Sequence, residues 1–349
     1  MFLPEGTVAI RNSGGAYARG GRPRALGTNQ VLEIGPVGGR DGLCLCRERC
    51  RLNFPLGQGI WEGVPLSTVL RQLCDHIEHC RRIYYWGWHN NDPKQVFRSS
   101  ISYTEAFEPV PGEPPIFLAY KLNGKPLPLI RGGPVRMIVP FGHGFKNVKF
   151  IQHIRLTNDY RPNDTYASID EGDEGNDPSS VQKTYTTVDQ RLGGGSILVG
   201  TLVILSGVLM NGRTPCMHLE YWIRKSINNG KDFTTHKLDA SDNELKNGDW
   251  IPFALPAPPL PTDLAAILPN GIQPRDLFGV NQQGVPKRWP LPFSYIQWTT
   301  RIDGLVPGMY EIRARAVDDN GYKQPEPRPY QKSGRNNIGV RTVEVVVEN

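Results

Sequence analysis

Apolar runs in this chain are short, and glycine or proline stands at the end of most of them. The clearest are IFLAY (116–120), VRMIVP (135–140), HLEYWI (218–223), YIQWTTRI (295–302), MYEIRARAVD (309–318) and RTVEVVVEN (341–349). Each is brief, rich in β-branched and aromatic residues, and bounded by turn residues, which is the pattern of strands rather than long helices. The 38 glycines and 31 prolines among 349 residues provide the breaks between them. A strand-rich α+β protein is the expected class. A chain this long is expected to form two domains, because single cores stop growing near this size.

Apolar residues at 38% and aromatics at 9% exclude overall disorder. The formal charge of +6 is modest, and Lys and Arg are scattered among acids, so no nucleic acid is required as a partner. The longest apolar segment, ILVGTLVILSGVLM (197–210), is interrupted by Gly and Ser and reads as a core strand pair, not a membrane span. No basic start followed by an apolar core is visible, so localisation stays open. Neither the number nor the spacing of the six cysteines resembles a disulfide framework.

Residues 1–51 differ from the rest, with ten glycines, eight arginines and no lysine. They read as a flexible basic arm or a truncated start, with strands conceivable only at VLEIG (31–35) and GLCLC (42–46). A first domain is expected over 52–185 and a second, all-β one over 186–349, with a Pro-rich surface insertion at 252–292. Leu66, Val69, Leu70, Leu73, Cys74 and Ile77 recur at helical spacing, and Ser67 stands where an N-cap belongs. RRIYYWGWHNNDP (81–93) reads as a strand running into a polar loop. The acidic, Gly-rich stretch from Asp170 to Pro178 reads as a linker. MYEIRARAVD runs out into Asp-Asp-Asn-Gly (318–321), a turn signal.

The segment from Phe97 to Phe150 holds the strongest functional signal. Two apolar strands lie among Gly-bearing turns, with Arg131, Arg136, Lys146 and Lys149 around the second. Glycine lets backbone N–H groups approach an anion, and the cations supply charge, so the pattern suits a polyanionic ligand. A cation-protected sheet edge is the plain alternative.

WEGVPLSTVL (61–70), FRSSIS (97–102), IFLAYKLNGKPLP (116–128), GGPVRMIVP (132–140) and KNVKFIQHI (146–154) together resemble, in the same order, the molybdopterin domain of the sulfite oxidase family. The second half is similar to that family's immunoglobulin-like dimerisation domain, through RARAVDDNGYKQPE (313–326) and SGRNNIGVRTVEV (333–345). The resemblance covers about Leu52 to Asn349. It implies a sulfite-oxidase-like molybdopterin domain followed by an immunoglobulin-like β-sandwich. Arg131 stands where relatives usually carry histidine, Arg136 matches a strand arginine, and Lys146 and Lys149 match a basic pair, with Phe150 replacing a tryptophan. In relatives these positions hold the pterin and its phosphate. His143 shares the same turn and faces either the cofactor or solvent. A cysteine thiolate completes the metal's ligands in the family. Cys46 falls in the equivalent place, with Cys44 and Cys50 as competitors. Tyr166 matches an active-site tyrosine, with Tyr160 as runner-up. The family opens its domain with a strand and an Asn-His-type segment that have no visible counterpart in residues 1–53.

The resemblance implies the molybdenum cofactor (molybdopterin) and oxygen-atom transfer to or from a small oxyanion such as sulfite. It also implies a homodimer, and a periplasmic place is common among relatives. No haem-attaching motif is present, so electrons would pass to a separate acceptor such as a cytochrome. The alternative is a non-catalytic or truncated relative acting as an interaction scaffold. Zinc on Cys74, His76, His79, Cys80 and the upstream cysteines is a further alternative. It competes with Cys74 as an ordinary core residue on the helix's apolar face. Nucleic-acid binding through the Arg/Gly-rich start is a weaker one.

Overall fold

The computed structural model describes residues 7–10, 16–17, 43–48, 57–74, 77, 79–89, 92–142, 144–159, 184–189, 196–233, 245, 247–269, 271–324 and 340–347. The chain divides into two compact units, Met1–Val181 with Pro259–Arg288, and Gln182–Pro258 with Trp289–Asn349. The Pro-rich stretch is therefore shared between the units rather than forming one insertion. Leu264, Leu277 and Val280 are buried within the part that belongs to the first.

Among the described residues the first unit has ten strands in two antiparallel sheets. One is ordered β2 (Ala16–Tyr17), β1 (Thr7–Ile10), β10 (Ile151–Thr157), β5 (Arg82–His89) and β6 (Asp92–Ser102). The other is ordered β3 (Leu43–Glu48), β4 (Gly57–Pro65), β7 (Phe117–Leu122) and β8 (Lys125–Pro126), with β9 (Arg136–Ile138) also on β7. Three strands thus come from the segment read as a basic arm. β1 pairs with β10, and β3 with β4, so an opening strand exists where the sequence shows no counterpart. VLEIG lies outside the described residues.

Helix α1 (Leu66–Leu73) begins one residue before the expected Ser67 cap. The amide of Leu66 donates to the Ile116 carbonyl at 2.9 Å, so the sheet satisfies the helix start in place of a side-chain cap. Leu66, Val69 and Leu70 are fully buried, each worth about 1.5–3 kcal/mol against exposure. The helix stops at Cys74, whose backbone is extended, three residues short of Ile77. Helix α2 (Tyr103–Phe107) carries a capping box. The Glu105 amide donates to Ser102 Oγ, and the Ser102 amide donates to the Glu105 carboxylate at 2.7 Å.

The second unit is a two-sheet β-sandwich. A three-stranded sheet runs β11 (Tyr185–Val188), β13 (Val203–Met210), β16 (Tyr295–Ile302). The five-stranded sheet runs β12 (Ser196–Leu198), β18 (Val340–Val346), β17 (Gly308–Asp318), β14 (Cys216–Lys225), β15 (Ile251–Phe253). Leu205 and Trp298 from the first pack with Leu219, Ile312 and Ala314 from the second. The segment 197–210 does form two strands, but they do not pair. β12 runs parallel to β18 while β13 sits between β11 and β16, so the two strands join opposite sheets. The expected turn closes β17, where the Gly321 amide donates to the Asp318 carbonyl at 2.8 Å.

The outer face of β14 and β17 is charged yet buried. Glu311 accepts from Arg313 Nε at 2.5 Å and from Arg224 at 2.7 Å. Arg315 donates to Glu220 at 2.6 Å, and its guanidinium lies 4.0 Å from the Trp250 ring centroid.

Candidate functional site: a cation-bearing cradle around β9

The site is built from two loops held on either side of β9. Leu129–Arg131 form a single 3-10 turn closed by Gly132, whose φ of 101° lies in the left-handed region. A Cβ at Gly132 would stand 2.8 Å from the Cβ and Cγ of Lys149, so both the backbone and the space require glycine. Gly144–Lys146 form the second 3-10 turn, leading into Asn147, Val148 and Lys149.

Arg136 joins these two loops. It is fully buried, and its Nη1 and Nη2 donate to the carbonyls of Arg131 and Asn147, each at 3.0 Å. Its Cζ lies 5.3 Å from the Trp61 ring centroid, a cation–π contact from β4. The Asn147 side chain accepts from the Val139 amide at 2.7 Å. Two backbone bonds complete the frame, Met137 N to Val148 O at 3.0 Å and Phe150 N to Gly132 O at 3.1 Å.

Three of the four cations predicted from sequence lie on the two loops and Arg136 lies on the strand between them, but they do not all face outward. Arg136 turns inward as described. Lys146 is buried, donating to the Ser100 carbonyl on β6 at 2.7 Å, while its own carbonyl accepts from Tyr85 Oη at 2.9 Å. Arg131 is exposed, and Lys149 is half-buried with its ammonium 3.2 Å from the Ile130 carbonyl. The outward charge of the cradle comes from these two.

Cys46 lies on β3 opposite Gly59 in the backbone register, two residues from the Cys44–Trp61 pair. The strand bearing the cysteine thus neighbours the strand whose tryptophan covers Arg136. Cys50, His143, Tyr160 and Tyr166 lie outside the described residues. Among the described residues no cluster of three His, Cys, Asp or Glu could hold a metal. Cys80, one of the proposed zinc ligands, is buried and donates to the Arg82 carbonyl, and burial raises its thiol pKa.

Sequence reasoning passed over Gly87, Trp88, Asn147 and Ser100. A Cβ at Gly87 would fall 2.1 Å from the Lys149 carbonyl oxygen and 2.4 Å from that of Phe150, so this glycine lets the cation-bearing loop lie directly on β5. An isolated glycine inside a strand is itself the signal of such close approach. Trp88 stacks on Phe150 with ring centroids 5.5 Å apart. The Asn147 and Ser100 roles have no signature in residue type.

A polar ligand suits this arrangement. Trp88 Nε1 is buried without a hydrogen-bond partner among the described residues and lies one residue from Gly87. Next to it, glycines bring backbone close to Lys149, and Arg131 extends outward. Nearby, Tyr120 donates to Glu62 at 3.0 Å. Burial, then the charge and hydrogen bond of Glu62, push its pKa up to about 12, so it stays a proton donor.

Residues 52–165 match the model of the oxidoreductase molybdopterin binding domain. Similar curated proteins include the mitochondrial sulfite oxidase of Mus musculus, 33% identical over 100 residues, covering 28% of this chain and 17% of that protein. The catalytic subunit MsrP of the protein-methionine-sulfoxide reductase of Xanthomonas campestris is 34% identical over 107 residues, covering 28% of this chain and 31% of MsrP. Residues 52–165 thus carry an oxidoreductase molybdopterin binding domain, similar to that of the sulfite oxidases and MsrP proteins. Its cofactor is accordingly molybdopterin. MsrP of Gluconobacter oxydans is 28% identical over 156 residues, covering 42% of this chain and 46% of that protein. These matches span less than half the length of each relative. The fold of the sulfane dehydrogenase SoxCD from Paracoccus pantotrophus is similar at a TM-score of 0.52. That likeness spans 99% of this chain and 80% of that one, at 15% identity. The residues matched to the oxidoreductase molybdopterin binding domain include Arg131, Arg136, Lys146 and Lys149. The cationic cradle, its close-approach glycines and the buried indole donor suit an anionic, polar cofactor.

Proposed function

We propose that the chain is a molybdopterin oxidoreductase that transfers an oxygen atom to or from a small oxyanion such as sulfite, passing electrons to a separate protein. When bound, the cofactor supplies two-electron redox chemistry at its metal. The protein's own part is holding and orienting. Arg131 and Lys149 would pair with the cofactor's phosphate, a dianion whose oxygens suit a guanidinium and an ammonium. Arg136 and Lys146 act as positioning residues, fixing the two loops through backbone carbonyls. Cys46 supplies the thiolate ligand, a soft donor suited to a redox metal. Tyr166 orients the substrate, and His143 lines the cofactor.

The observation that carries this reading is the pair of 3.0 Å bonds from Arg136 to the Arg131 and Asn147 carbonyls. They make two loops one preorganised anion cradle inside the matched domain. The test is expression in a host that makes the cofactor, followed by sulfite-dependent reduction of ferricyanide. Turnover that depends on Arg131 and Lys149 supports the reading, and a cofactor-loaded protein inert toward small oxyanions contradicts it.

A second reading is reduction of methionine sulfoxide. It is favoured by the length of the match to MsrP of Gluconobacter oxydans, 156 residues against 100 for the Mus musculus sulfite oxidase. Oxidation of a reduced viologen on adding methionine sulfoxide separates the two.

The second unit fits an immunoglobulin-like dimerisation domain. Its sheets run β11-β13-β16 and β12-β18-β17-β14-β15. Near the start of β17, Tyr310 Oη donates to the Val306 carbonyl at 2.9 Å, the link of a tyrosine corner. Sedimentation showing a dimer supports this assignment, and a monomer at micromolar concentration opposes it.

A further inference from the structure

The turn that carries Arg131 also exposes Leu129 and Ile130, at 66% and 70%. Among the described residues these are the most exposed pair of adjacent large apolar side chains. Their exposure is not a loose end. The turn is closed by Arg131 N to Pro128 O at 2.9 Å, Gly132 N to Leu129 O at 2.9 Å and Gly133 N to Pro128 O at 3.1 Å. Arg136 and Lys149 further bond the carbonyls of Arg131 and Ile130. A rigid turn that holds two aliphatic side chains in water is preorganised for contact, because ordering it costs a partner little.

The stretch of chain that carries the turn bears charge of one sign. From Asn123 to Val135 the sequence contains no acidic residue, while Lys125 and Arg131 are exposed and Lys149 is half-buried. An apolar centre with a cationic rim complements a protein surface with an apolar centre and an acidic rim.

We propose that Leu129, Ile130 and Lys125 form the docking surface for the one-electron carrier protein that exchanges electrons with the cofactor site. This rests on the proposed oxidoreductase function, since the surface adjoins Arg131 of the cradle. In the oxidising direction each encounter passes one electron to an oxidised haem carrier. Two encounters return a two-electron-reduced site to its oxidised form, and no bond is made or broken in docking.

The test uses the cofactor-loaded chain and an acidic c-type cytochrome as probe, read by binding titration and by sulfite-dependent turnover. Leu129→Ser with Ile130→Ser should weaken cytochrome binding about tenfold at any salt. Lys125→Glu should weaken it at low salt and much less at high salt, where the charge is screened. Both variants should melt like the native chain, and the apolar double variant should reduce ferricyanide at the native rate. Native-like cytochrome binding by the variants overturns the proposal. So does a native chain that does not bind the cytochrome, or an equal loss with ferricyanide. If the native chain binds the cytochrome and the variants do not, yet ferricyanide is never reduced, the docking surface stands and the proposed function fails.

Discussion

The Arg136 guanidinium donates to the main-chain carbonyl of Asn147 at 3.0 Å, while the Asn147 side chain accepts from the Val139 amide at 2.7 Å. Strand β9 and the loop after it are thus laced together by one residue from each. The same arginine bonds the Arg131 carbonyl, so a single buried cation sets the separation of the two loops.

Arg136→Lys keeps the charge but replaces a planar fork with a point donor that cannot reach both carbonyls. A hydrogen bond to a charged group contributes about 1.5–3 kcal/mol, so urea unfolding should show a loss near 2 kcal/mol. Pterin content, read by fluorescence after release, should fall about tenfold if the loops must be fixed for the cofactor to bind. Unchanged stability and pterin content would remove Arg136 from the frame.

Gly87→Ala tests the loop's seat on β5. The added Cβ would lie 2.1 Å from the Lys149 carbonyl oxygen, well inside contact distance, so either the strand or the loop must shift. Overpacking of this kind costs typically about 1–3 kcal/mol. Calorimetry should show a lowered melting temperature, together with reduced cofactor retention through displacement of Lys149. A variant that melts and retains cofactor like the native chain would show that this approach is not tight.

In the second unit, Glu220 is expected to contribute pH-dependent stability on the acid side. Burial alone would raise its pKa, but the hydrogen bonds from Arg315 and His218, with their charges, outweigh it and hold the pKa below the usual 4.5. A depressed folded value means the stabilisation is fully present above the unfolded value and is lost as pH falls through the folded one. Glu220→Gln also leaves the Arg315 guanidinium buried without its carboxylate, which costs about 3–5 kcal/mol. Urea unfolding as a function of pH should show the native chain weakening below about pH 4.5 and the variant losing that acid-side slope. Parallel curves would rule out this pair as the source.

Much of the fold was legible because strand periodicity and turn chemistry are local. MYEIRARAVD lies wholly in β17, IFLAY in β7 apart from Ile116, and the middle of VRMIVP forms β9, while the turn after Asp318 forms as expected. Long-range partners were not legible. Residues 197–210 formed two strands, but the choice of opposite sheets depends on β18, some 150 residues away in sequence, and leaves no mark on the strands themselves. The start of α1 shifted for a similar reason, since the Ile116 carbonyl does the work of a side-chain cap. The cations of the cradle were found by charge and glycine content. Which of them turn inward depends on carbonyls that every residue type carries, so nothing in the sequence separates Arg136 and Lys146 from Arg131 and Lys149.

The central claim is that this cradle holds the molybdenum cofactor, and metal analysis tests it most directly. The native chain, purified from a cofactor-competent host, should contain molybdenum and pterin in amounts stoichiometric with protein, and paired Arg131→Ala and Lys149→Ala substitutions should lose both together. A native chain free of molybdenum and pterin, or a doubly substituted one that retains both in full, would contradict the account.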